Sequence, residues 1–70
     1  MLVDIGTEKE PLYVNSDRII LFERVKNADP NADEPQTMVL VAGERSEWKL
    51  ETKVLFEEIQ NRLKKFIHRP

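Results

Sequence analysis

The chain has no cysteine, so neither a disulfide nor a thiolate metal site can staple it. Its one histidine, His68, stands two residues from the last position and cannot by itself build a metal site or a nucleophile–base–orienter triad. Only two glycines occur, Gly6 and Gly43, too far apart for a glycine-rich phosphate loop. No apolar run approaches the roughly 18–20 residues that cross a bilayer. The start, Met1-Leu2-Val3-Asp4, lacks the basic region and apolar core of a signal peptide, and the expected location is cytoplasmic. No catalytic, cofactor-binding or metal-ligating residue is assigned, and the expectation is a non-enzymatic protein without a cofactor.

What is present suits one small folded unit. Seventy residues make a single domain, 1–70, near the size at which a chain struggles to bury enough apolar surface alone. Hydrophobic residues form 40% of the chain, which argues against disorder, and charged residues form 34%, which suits a solvated surface. Eleven basic residues stand against 13 acidic ones, a net charge of −2, so nucleic acid is an unfavoured partner. Without staples, stability must come from helix–sheet packing and from oligomerisation.

Strands are predicted at about 2–5, 11–14, 18–26, 37–42 and 46–51. Gly6 is available for a positive φ in the first hairpin, and Asn15-Ser16-Asp17 carries side chains that bond nearby backbone in a tight turn. Residues 27–36 hold two prolines, three acids and no large apolar group, the composition of a mobile surface loop. From Thr52 the apolar period lengthens: Leu55, Phe56, Ile59, Leu63, Phe66 and Ile67 recur at helical spacing and predict a helix over about 53–68. Thr52 is the expected N-cap. Glu57 and Glu58 early and Arg62, Lys64, Lys65 and Arg69 late complement the helix dipole. The fold class is α+β, a small antiparallel β-meander of four or five strands followed by one C-terminal amphipathic α-helix.

Two strands carry apolar residues on both faces. Ile19-Ile20-Leu21-Phe22 and Met38-Val39-Leu40-Val41-Ala42 do not alternate with polar residues as a strand with one wet face should. Glu47-Trp48-Lys49-Leu50-Glu51 does alternate, which marks one dry face and a possible edge position, with Trp48 expected to anchor the core. The helix covers one sheet face through Leu55, Ile59, Leu63 and Phe66. The other face then retains the candidate interface Ile20, Phe22, Val39 and Val41, or their alternates, and the expected partner is a second copy or an unidentified protein. A weaker alternative is a nucleic-acid-associated module in which Arg62, Lys64, Lys65 and Arg69 contact phosphates.

Leu12-Tyr13-Val14-Asn15-Ser16-Asp17-Arg18-Ile19, then Glu23, then Thr37-Met38-Val39-Leu40-Val41-Ala42-Gly43, then Trp48-Lys49-Leu50-Glu51-Thr52 follow a known order. The chain resembles the FlbD family of small flagellar-operon proteins, also called SwrD, over about two thirds of its length. That family shows an aromatic-x-Asn-x-Asp-x-Ile turn, a Thr-x-x-x-Leu strand ending in Gly, and a last strand entering an acidic helix. The family's opening Thr-Arg-Leu-Asn-Gly element is replaced here by Asp4-Ile5-Gly6-Thr7. The 27–36 loop is also longer, and the basic helix extends further. The resemblance implies a non-enzymatic accessory protein acting through protein contacts.

Overall fold

The computed structural model describes residues 1–64. Five strands precede one helix: β1 (Leu2–Asp4), β2 (Tyr13–Asn15), β3 (Ile19–Arg24), β4 (Thr37–Ala42), β5 (Glu47–Thr52) and α1 (Phe56–Lys64). The class is α+β with antiparallel strands, but the strands divide into two sheets, β1-β2 and β3-β4-β5. The division falls at Asn15. Its side chain accepts the Asp17 amide at 3.0 Å and starts a single 3-10 turn, Ser16–Arg18, which turns the chain out of the hairpin before β3 begins.

Three layers meet in the core, and each contributes one fully buried apolar side chain: Ile5 after β1, Val39 on β4 and Ile59 on α1. Val3, Val14, Val54 and Leu63 complete the buried cluster. Hairpin and helix therefore share one face of the three-stranded sheet. Two buried threonine hydroxyls join the layers. Thr52 donates to the Ile5 carbonyl at 2.6 Å, and Thr37 donates to the Val54 carbonyl at 2.7 Å. Each hydroxyl satisfies a carbonyl that would otherwise be desolvated without a partner.

The β1-β2 connection is tied from both sides. Asp4 Oδ1 accepts the Gly6 amide at 2.8 Å and the Leu12 amide at 2.9 Å, while Arg62 Nη1 donates to the Asp4 and Gly6 carbonyls at 3.0 and 2.9 Å. The two amide bonds, with the nearby Arg62 charge adding a little, hold the Asp4 carboxyl below its ordinary range. Gly6 does not adopt the positive φ expected of it. Its need is for space, because a Cβ there would run into the Glu10 carbonyl and come within 2.6 Å of the Leu12 nitrogen. The left-handed residue is Asn27, φ 64°, in the turn after β3.

The helix begins later than the apolar period alone suggests. Thr52 is the last residue of β5, and its hydroxyl accepts the Val54 amide, ahead of the helix that starts at Phe56, so it is not the N-cap. Leu55 precedes the first turn and accepts the Glu58 and Ile59 amides through its carbonyl, which leaves its side chain 44% exposed and outside the helix's covering stripe. Phe56, Ile59 and Leu63 face inward instead. Phe56 meets Phe22 with ring centroids 5.2 Å apart and lies 4.2 Å below the Arg24 guanidinium. Arg24 also donates to Glu57 at 2.7 Å, and that bond holds the Glu57 carboxyl below its ordinary range. Phe66 and Ile67 lie outside the described residues.

Candidate functional site

The register decides which apolar residues are free. Gly43 donates to the Ser46 carbonyl at 2.8 Å, and this tight turn sets Val41 opposite Trp48, Val39 opposite Leu50 and Thr37 opposite Thr52. Residues directly opposite one another project to the same face. Thr37, Val39 and Val41 thus share the dry side of β5, and Met38, Leu40 and Ala42 share the side of Glu47, Lys49 and Glu51.

On β3 the pairing slips by one residue. Ile19 opposes Val41 and Leu21 opposes Leu40, so Ile20 is the extra residue of a bulge. The bulge restores Phe22 to the covered face beside Val39 and turns Leu21 outward beside Leu40. Of the four candidate interface residues, only Ile20 is on the surface, at 48% exposure. Val39 is fully buried, and Phe22 and Val41 pack against the core, so these three are withdrawn from the interface. The uncovered face carries their alternates: Leu21, 42% exposed, with Met38 and Leu40 part-exposed and a charged border of Glu23, Glu47, Lys49 and Glu51. A signal for this choice was present. The polar half of β5 marks the wet face, and the Gly43–Ser46 turn transfers that polarity to β4.

Trp48 departs from its expected place. By register it belongs to the covered face, yet it is 62% exposed at the far end of β5 from Thr52, with its indole against Gly43. A Cβ on Gly43 would come within 2.5 Å of the indole nitrogen.

Among the described residues, the basic side chains of α1 do not gather into a phosphate site. Arg62 is committed to the Asp4 and Gly6 carbonyls and lies 3.5 Å from Glu58, so it is removed from the candidate phosphate contacts. Lys64 is exposed at the helix end, and Lys65, Arg69 and His68 lie outside the described residues. The 27–36 segment folds on itself: Asp29 accepts the Gln36 side chain through its carbonyl at 2.6 Å, and Glu34 accepts the Asp29 amide at 2.7 Å. Asp33 pairs with Lys53 at 3.0 Å and raises the Lys53 ammonium above its ordinary pKa, chiefly through that hydrogen bond.

Hollows flank this segment. One, about 240 Å³, lies between Val25, Pro30, Gln36, Leu55 and Phe56. Another, about 350 Å³, is lined by Pro11, Leu12, Pro35, Glu51, Thr52 and Lys53. Among the described residues, no three His, Cys, Asp or Glu side chains are placed to hold a metal ion, and no helix is long and apolar enough to cross a membrane. No protein-family model, curated protein or solved structure matches the chain.

Proposed function

We propose that this chain is a small, non-enzymatic protein–protein contact module of regulatory type, working in the cytoplasm and self-associating through the uncovered face of its three-stranded sheet. The observation that carries the reading is the row Leu21, Leu40 and Met38, apolar on the face that neither hairpin nor helix covers. The charged border of that face leaves the apolar centre as its sticky element, the arrangement of a contact surface with a polar rim. Full burial of such a side chain yields about 1.5–3 kcal/mol. These three are already part covered by neighbours, so the face supports a modest, micromolar-class contact. The resemblance of residues 12–19, 37–43 and 48–52, with Glu23, to FlbD/SwrD proteins supports the same reading, an accessory protein acting by contact.

Sedimentation velocity across a micromolar concentration series tests it. Wild-type protein is expected to sediment faster as concentration rises, and Leu40→Gln, polar but uncharged opposite Lys49 on a wet face, is expected to fold and to sediment as a monomer. A wild type that stays monomeric and soluble throughout contradicts the reading.

A further inference from the structure

We propose that two copies also join edge to edge through β5, antiparallel and centred on Leu50, to make one continuous six-stranded sheet. The inference rests on the reading of the chain as a self-associating module but uses a different surface from the uncovered face. The sheet has two edges, β3 and β5. The bulge at Ile20 disturbs the β3 edge and protects it from pairing. The β5 edge is regular. The Gly43–Ser46 bond sets the phase of the β4-β5 ladder, so Trp48, Leu50 and Thr52 turn their backbone groups toward β4 and Glu47, Lys49 and Glu51 turn theirs outward. Among the described residues, no backbone group of Glu47, Lys49 or Glu51 bonds to an element beyond that ladder.

Charge selects both occupant and register. The strand and its next residue read Glu47-Trp48-Lys49-Leu50-Glu51-Thr52-Lys53, and the charges change sign about Leu50. A second copy centred there sets Lys49 opposite the partner's Glu51 and Glu51 opposite the partner's Lys49, two complementary pairs within the strands. Glu47 faces the partner's Lys53, the residue after β5, which already pairs with Asp33. Centring on Lys49 instead sets Lys49 against its own copy and Glu47 against Glu51, all like-charged and repulsive. Centring on Trp48 is also complementary, but it opposes only residues 47–49 of the two β5 strands, against 48–52 when the axis passes through Leu50.

The Leu50 register has a further consequence. It puts exposed Trp48 opposite the partner's Thr52, beside the hollow of about 350 Å³ lined by Pro11, Leu12, Pro35 and Lys53. A largely exposed indole thus meets a recess in the other copy in which Pro11, Leu12 and Pro35 stand beside Glu10, Glu51 and Lys53.

The chain has no cysteine, so single thiols report the register directly. Under mild oxidation Leu50→Cys is expected to form a disulfide-linked dimer, because opposed residues at a non-hydrogen-bonded position bring their Cβ atoms close enough, whereas Trp48→Cys is expected to stay monomeric. Charge variants guard against misfolding of the thiol variants. Lys49→Glu and Glu51→Lys should each weaken association about tenfold, since each spoils two symmetric pairs, and the double swap Lys49→Glu/Glu51→Lys should restore it. Single swaps without effect, a double swap that fails to restore, or cross-linking of Trp48→Cys in place of Leu50→Cys overturns the edge contact. If Leu40→Gln abolishes association and Leu50→Cys does not cross-link, the sheet-face reading stands and the edge contact falls. If Leu50→Cys cross-links and Leu40→Gln still associates, the edge contact stands and the face falls. A wild type that is monomeric at every concentration overturns both.

Discussion

Replacing Thr52 with valine removes a hydroxyl and little else, because the two side chains have nearly the same shape. In this fold the hydroxyl has two duties. It donates to the buried Ile5 carbonyl at 2.6 Å and accepts the Val54 amide at 3.2 Å. Ile5 is fully buried, so its carbonyl cannot recruit water without opening the core. A buried acceptor stripped of its partner costs roughly 1–3 kcal/mol, and the loss of the longer amide bond adds about 1, for a total of about 2–4 kcal/mol. A domain of this size has only about 4–10 kcal/mol of net stability. The expected fall in Tm is therefore on the order of 10–25 °C. Urea and thermal denaturation followed by far-UV circular dichroism measure it. Thr52→Ser keeps the hydroxyl and loses a methyl, so it should cost only about 1 kcal/mol. If Thr52→Val melts within a degree or two of wild type, or Thr52→Ser is equally damaging, the bridge between the two sheets does not stabilise as argued.

Other expectations follow from the first hairpin and its clamp. Gly6→Ala should destabilise by about 1–3 kcal/mol, since the new methyl meets backbone of Glu10 and Leu12 that cannot swing away; chemical denaturation reads this, and a neutral result would remove the packing account of Gly6. Arg62→Met should cost about 1–2 kcal/mol, the value of charged bonds to two carbonyls discounted for partial exposure, with faster amide exchange in the 4–12 hairpin as the local signature. Asp4 has a depressed folded pKa, so its contribution is present above the unfolded value of about 3.9 and is lost as pH falls through the lower folded value. Melting curves from pH 7 down to strongly acid conditions should therefore show Asp4→Asn less stable than wild type near neutrality and converging with it in acid. Parallel curves would contradict that assignment.

The fold class was legible because two periods change visibly along the chain. Alternation in Glu47–Thr52 and helical spacing from Phe56 are both local signals, and each element appears in the structure. The division into two sheets was less legible, since the Asn15 turn that causes it looks like any hairpin turn until its 3-10 geometry is known. The three withdrawn interface residues differ: the polar half of β5 and the Gly43–Ser46 turn place Val39 and Val41, whereas Phe22 was hidden by the bulge. A bulge moves every residue beyond it to the opposite face, and nothing in Ile19-Ile20-Leu21-Phe22 tells which of four apolar residues is the extra one. Arg62 illustrates a second limit: helical periodicity places it on a polar stripe, but its carbonyl partners come from residues more than fifty positions earlier.

The claim that matters most is that the uncovered face of β3-β4-β5 is where this protein meets its own copy. Methyl NMR on a dilution series addresses it residue by residue. Concentration-dependent shifts are expected at the methyl groups of Leu21, Met38 and Leu40, with Val3, Ile5 and Ile59 in the core unmoved. Shifts absent from those three residues while the protein associates would contradict it.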